Sequence, residues 1–559
     1  MDWQRTTILG AIAVVSVLLI NQWGEFQERN RPVVSQETTS STTIPEVATS
    51  EIVNSGDIPT AIDPKTDAMP TLAAPRHAQL ISVKTDHLEM LIDTKGGDIV
   101  KVALPQHLES LSGDPSPFIL LNRTQATTYV AQSGLIGKNA TDTAAGRPTY
   151  STEHSDYQLA DGQETLNVDL TLQQGEVTIV KRFVFTRGDN LVKLQYLINN
   201  NSSNEWQAGL FGQIKRDSHN PVVVDGFGMQ PYLGAALTTL EDNYKKVDFD
   251  DLADEDTVRK GGFKTSINGG WVAMVQHYFL SAWVPDQNQE NHFSLRKTNG
   301  DMYLLGFTSP QVTVAAGEQG VIEAGFYAGP KDIYRLEEIA PYLDLTVDYG
   351  WLWWIAKPLF HVLNFIYGIL GSWGWSIIAL TIMIKAAFFH LSATSYRSMA
   401  KMRKFGPEMQ RMKELYGDDR QKMSQEMMKL YKKEKINPLS GCLPILVQMP
   451  VFISLYWVLM ESVELRHTPF LGWIADLSVK DPYFILPIIM GVTMFIQQKL
   501  NPTPPDPTQA RIMQMMPIVF TFMFLWFPAG LVLYWVVNNT LSIAQQYVIT
   551  KNIEAGDST

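Results

Sequence analysis

Two patterns of apolar and polar positions divide the chain. Between about residues 78 and 343 apolar residues recur at every second position over short runs: Leu166, Val168, Leu170 and Leu172, then Val177 to Phe185, then Leu191 to Ile198. Gly175 and the Gly188-Asp189-Asn190 segment stand at the turns, and Leu88 to Ile92 and Ile99 to Leu104 repeat the pattern around Lys95-Gly96-Gly97-Asp98. Such alternation between turn residues predicts strands with one buried face, so 78–343 is expected to be an all-β antiparallel sandwich. A helix over Lys331 to Leu343 is expected to close it. From residue 351 the alternation gives way to long apolar runs, which predict transmembrane helices over 374–395, 441–463, 483–499, 512–527 and 530–549. The last two are expected to meet in a tight hairpin at Phe527-Pro528-Ala529-Gly530. The runs at 483–499 and 512–527 are short, roughly 24 Å of helix against about 30 Å of hydrocarbon, and short spans thin the bilayer around them.

The remaining segments follow from the same criteria. Residues 351–370 are aromatic-rich and interrupted by Lys357-Pro358, which predicts an amphipathic helix lying on the outer interface, with a buried span as the alternative. Residues 1–23 run apolar from Ile8 to Ile20 and lack a small-x-small cleavage pattern. They are expected to form an uncleaved transmembrane anchor, with a cleaved signal peptide as the alternative. Residues 24–77, rich in Ser, Thr and Pro, cannot bury enough apolar surface to offset chain entropy and are expected to be a flexible linker. The fold class is therefore a multi-domain membrane protein: an α-helical polytopic membrane domain of six spans, five of them in the C-terminal part, plus an all-β domain.

Charge orients this arrangement. The whole chain carries 45 Lys and Arg against 57 Asp and Glu. Residues 351–559 hold 19 basic against 13 acidic residues, about +6, which leaves about −18 for residues 1–350. Twelve Lys and Arg against six Asp and Glu fall between Arg397 and Lys435. The positive-inside rule puts that loop, expected at 396–437, in the cytoplasm, with both termini on the same side and the β-domain outside. Within the loop Met402, Phe405, Met409, Met412 and Tyr416 recur at helical spacing, Gly417-Asp418-Asp419 interrupts them, and Met423, Met427 and Leu430 resume. A helical hairpin with an apolar seam is predicted. Its methionines are either the core of that seam or a pliable surface for apolar clients.

Candidate chemistry centres on one residue. Lys385 lies about eleven residues into the apolar run Gly374 to Ser395, a depth where a cation costs on the order of 3 kcal/mol. Snorkelling would need to cover roughly 15 Å to either interface. No Asp or Glu stands near mid-depth to pair with it, Glu461 and Glu464 being near the outer end. Thr381, one turn earlier, and Gln448, Ser454, Thr521, Asn538 and Ser542 on the other runs are candidates to line a hydrated groove around the charge. Each taken singly is equally a helix-packing residue. The histidines of the β-domain are scattered, with no metal-ligand spacing, nucleophile elbow or phosphate loop, so no enzymatic role and no catalytic, metal or cofactor site is expected. Cys442, the single cysteine, excludes a disulfide framework, and Leu439-Ser440-Gly441-Cys442 resembles a lipidation box in a context that makes lipidation improbable.

The stretch SMAKMRKFGPEMQRMKELYGDDRQKMSQEMMKLYKKEKINPLSGCLPILVQMPVFISLYWVLMESVELRHTPF, followed by DPYFILPIIMGVTMFIQQKLNPTPPDP and FLWFPAGLVLYWVVNNTLSIAQQ, closely resembles the YidC/Oxa/Albino family of membrane protein insertases in its Gram-negative form. The likeness is dense over 351–549 and looser over 1–350. It implies a six-span inner-membrane protein with a periplasmic β-supersandwich, a cytoplasmic hairpin, and five core helices around a groove open to cytoplasm and lipid. It further implies that the chain inserts and helps fold newly made membrane proteins, alone or beside the Sec translocon. The positively charged groove residue, usually arginine in the family, falls by motif on Lys385, a departure that keeps the charge and changes its hydrogen-bonding geometry. Partners implied are nascent membrane proteins, the Sec translocon, the lipid bilayer and the ribosome, with no nucleic-acid chemistry. Residues 550–559, expected as a short cytoplasmic tail, hold no basic run to grip ribosomal RNA, so ribosome contact would fall to the hairpin. Two other readings of Lys385 stay open: the selectivity charge of an anion channel or transporter, and a bystander in a scaffold for the Sec machinery.

Overall fold

The structure is a computed structural model that describes residues 58–59, 79–111, 113, 115–143, 146–220, 231–298, 300–416, 419–433, 443–501 and 507–556. The anchor expected over 1–23, nearly all of the linker over 24–77, and Cys442 lie outside the described residues.

Two sheets, one of eleven strands and one of eight, build the β-domain. All pairings are antiparallel except that between Leu80–Lys84 and Asp156–Gln158. The alternation in the sequence appears as burial: along Val177–Thr186 every odd residue is buried and every even one is half-buried. Its register with Thr165–Gln174 sets Phe185 opposite Leu166, Phe183 opposite Val168 and Ile179 opposite Leu172. One apolar core takes residues from both sheets, among them Val102, Leu210, Phe183 and Phe326, and Tyr129 OH meets Ser281 Oγ across it at 2.8 Å. The odd register also carries Lys181 fully inside, where its ammonium donates to the carbonyls of Gly96, Gly97 and Ser133 at 2.8–3.0 Å. Burial pushes that ammonium down to about 7.

Two five-residue helices, α1 (Phe249–Ala253) and α2 (Glu255–Arg259), decorate this domain. The helix expected over Lys331 to Leu343 is shorter: α3 spans Ile333–Ile339. The Asp332 carboxylate caps its start by accepting from Tyr334 N and Arg335 N. It stops because Ala340 is extended, as the residue before Pro341 is expected to be.

The helical region follows. α4 (Trp353–Leu370) ends on Gly371, whose φ of 63° is the left-handed turn that glycine supplies. The single span expected over 374–395 is two helices, α5 (Trp373–Ala387) and α6 (Phe389–Lys404), inclined at 66° across Phe388. No proline or glycine marks the bend; beyond it the composition turns polar and basic, so α6 carries the first part of the segment expected as hairpin. The hairpin itself is α7 (Gly406–Tyr416) and α8 (Arg420–Lys433). Then come α9 (Leu443–Glu461), α10 (Ile485–Leu500) and α11 (Pro507–Met523), the last finishing in a 3₁₀ turn, Phe524–Trp526. α12 (Ala529–Gly556) runs on through the stretch expected as a tail, since no glycine or proline interrupts residues 531–555. It is the central helix, packed against α5, α6, α9 and α10. Among the described residues no single helix is long and apolar enough to cross a membrane, whereas the bent pair α5 and α6 passes that test together.

Candidate functional site

α12 brings three polar side chains, Tyr534, Asn538 and Ser542, to the side of α5 that carries Lys385. Lys385 is half-buried, and its ammonium donates to Ser542 Oγ at 2.7 Å and, at 3.5 Å, to Gln448 Oε1 of α9. The Gln448 amide in turn donates to Tyr534 OH at 3.2 Å and to Asn538 Oδ1. The Ser542 hydroxyl donates back along its own helix to Asn538 O at 2.8 Å. All of these partners are neutral, and no ion pair to Lys385 occurs among the described residues. Beside the ammonium lies a small recess lined by Ile384, Phe388, Leu391, Ser392, Val447 and Gln448. An ammonium there can offer its remaining N–H to a carboxylate or other acceptor.

Of the six polar residues expected around Lys385, Gln448, Asn538 and Ser542 meet it directly or through one another. Thr381 is buried and spends its hydroxyl on Ile377 O at 2.6 Å. Thr521 does the same toward Pro517 O at 2.6 Å and faces Gly491 of α10. Ser454 is fully buried, with no hydrogen-bond partner for its hydroxyl among the described residues. Tyr534, absent from the expected set, completes the network; its i, i+4, i+8 spacing with Asn538 and Ser542 was the available signal. In the hairpin Met409 is buried and accepts from Tyr431 OH at 3.5 Å, and Met402, Met412 and Met427 are half-buried. The side chain of Met423 lies outside the described residues. Among the described residues the exposed large apolar side chains there are Leu415 and Met428.

A second cluster sits where the β-domain meets the helical region. Lys331, just after the strand Gln319–Pro330, pairs with Glu461 at the end of α9, and both side chains are 2% exposed. His277 Nε2 donates to Met460 O at 2.8 Å. Burial, with Lys331 and Arg466 nearby, pushes the His277 imidazole down to about 3. Arg466 lies 5.5 Å over the rings of both Phe118 and Phe279, which stack on each other, and donates to Glu109 O at 3.2 Å. Burial pushes Glu464 up to about 7. On the next face Lys357 of α4 bridges Glu337 and Asp344 at 2.7 and 2.9 Å.

A family model described as the YidC periplasmic domain matches residues 80–362, and one described as the 60Kd inner membrane protein matches residues 365–556. The chain is 59% identical over 559 residues to a membrane protein insertase YidC of Cellvibrio japonicus, covering 100% of both chains. It is 54% identical to the protein of that name in Saccharophagus degradans, covering 99% of this chain and 100% of that one. A solved structure of an active YidC insertase with its first transmembrane domain resolved aligns with 86% of this chain and 95% of its own at 17% identity and a TM-score of 0.38.

Proposed function

The chain belongs to the YidC family of membrane protein insertases, and from that premise we propose that it passes the polar flank of a client through the recess beside Lys385. The observation that carries this reading is a half-buried lysine, on a helix of the bent apolar pair, whose partners among the described residues are all neutral. A cation paired with a carboxylate is electrostatically closed, whereas one held by a serine and a glutamine keeps its net charge available to a client.

The steps follow from that charge. An apolar client segment first meets the cytoplasmic hairpin. Its polar flank then enters the recess, where water and the Lys385 ammonium lower the cost of crossing. Its apolar part leaves into lipid beside the short helices α10 and α11, roughly 24 and 26 Å long, where the bilayer is thinned. Burial of apolar client surface, worth roughly 25 cal/mol per Å², drives the step, so no nucleotide or covalent chemistry is called for. In this reading the chain has six spans with both termini in the cytoplasm and the β-domain in the periplasm, and α4 lies on the outer interface with Trp351, Trp353 and Trp354 exposed toward lipid headgroups. The Sec translocon and the ribosome are proposed partners, the ribosome through the hairpin.

Reconstitution separates this from anion transport. Proteoliposomes of the purified chain are expected to integrate a single-span client with an acidic translocated flank and to show no protein-dependent flux of chloride or phosphate. Anion flux without client integration would overturn the proposal.

A further inference from the structure

The acceptors around Lys385 have their own orientations fixed before the lysine arrives. A serine hydroxyl rotates freely and can donate or accept. That of Ser542 is committed, because its hydrogen goes to Asn538 O at 2.8 Å, which leaves its oxygen to accept from Lys385 Nζ at 2.7 Å, with the buried Tyr396 hydroxyl of α6 also beside it. An amide has two N–H donors and one oxygen. In Gln448 both donors are spent, on Tyr534 OH and Asn538 Oδ1, which turns Oε1 toward the ammonium. Tyr534, Asn538 and Ser542 are 0%, 6% and 2% exposed, so this stripe of α12 is packed in place, with water kept from competing for its groups.

We infer that Ser542 is the positioning residue for the Lys385 charge, with Tyr534 and Asn538 acting at one remove by orienting Gln448 as a second, weaker acceptor. Together they hold the ammonium on the α12 side of the recess. Two of its three N–H groups are engaged and the third is left for an acidic group of the client. The arrangement suits lysine in particular. A guanidinium presents five donors in a planar fork and does not depend on a single point acceptor. This inference rests on the proposed role of the Lys385 charge and adds the residue that places it.

The test uses the full chain in cells depleted of their own insertase, scoring insertion of two clients that differ only in an acidic or an uncharged translocated tail. Ser542→Ala is expected to lower insertion of the acidic-tail client about five- to tenfold, the scale of one hydrogen bond to a charged group. The uncharged-tail client and membrane accumulation are expected to stay unchanged, and Ser542→Thr, which keeps the acceptor, is expected to restore acidic-tail insertion. Ser542→Ala should cost nothing further in a Lys385→Ala background and less than twofold in a Lys385→Arg background. Equal loss for both clients, full activity of Ser542→Ala, or a loss that adds to that of Lys385→Ala would overturn the inference. Wild-type insertion by Lys385→Ala alone would instead overturn the reading beneath it.

Discussion

Lys331 and Lys385 both leave bulk water, and the company they meet differs. Lys331 sits at the junction of the β-domain and the helical region, sealed at 2% exposure against the Glu461 carboxylate. Lys385 sits half-buried beside a recess, against a hydroxyl and an amide. Opposite charges in a dry site offset each other's desolvation only as a pair, and each then depends on the other. A charge held by neutral groups strands no buried counter-charge when a partner is lost, and it keeps its field. The first arrangement joins two parts of a fold, and the second leaves a cation available to something that arrives. Lys181 shows that neutral acceptors are not enough: it too donates to three carbonyls, but it is wholly enclosed between the sheets, with the Asp98 and Asp142 carboxylates acting on it from nearby.

This contrast is broken most directly by removing one member of each site. Glu461→Ala strands the Lys331 ammonium and is expected to cost about 3–5 kcal/mol in the unfolding of the purified chain, while Lys331→Met with Glu461→Leu together recovers most of it. Lys385→Ala is expected to cost about 1 kcal/mol or less. Comparable destabilisation by the two alanine variants would erase the distinction.

The junction also predicts a pH dependence. His277 stays neutral when folded, held down to about 3, whereas in the unfolded chain it protonates near 6.5. The unfolded state therefore binds the extra proton between those values, and stability falls as pH drops from 6.5 toward 3, by at most roughly 1.4 kcal/mol per unit. Glu464, pushed up to about 7, tilts the curve the other way between 4.5 and 7. The difference between wild type and His277→Gln isolates the histidine. The variant is expected to lose less stability than wild type, or to gain some, as pH falls from 6.5 to 4.5 in thermal melts, and an identical pH dependence of the two would remove His277 from the account.

Much of this was legible from residue order, and the misses share a cause. Period-two alternation located the strands, and Val177–Thr186 shows the expected alternation residue by residue. A lysine with no carboxylate at its depth located the charge. Which polar residues surround it depends on how each helix is rotated about its axis, and no single helix pattern states that: Thr381 and Thr521 face their own backbone, and Gln448, Asn538 and Ser542 face Lys385. Tyr534 passed unnoticed because an aromatic in an apolar helix looks like packing until its hydroxyl is seen to accept from Gln448. The Lys331 and Glu461 partnership spans 130 residues and no local pattern announces it. The bend at Phe388 has no breaker residue to betray it.

The central claim is that the net charge at 385, and not the lysine side chain's packing, does the work. The measurement that tests it most directly is insertion of a client with an acidic translocated tail by wild type, Lys385→Arg, Lys385→Ala and Lys385→Glu in insertase-depleted cells, with membrane accumulation checked for each. The account predicts that arginine supports insertion and that alanine and glutamate fail by tenfold or more while accumulating normally. Equal insertion by all four would contradict it.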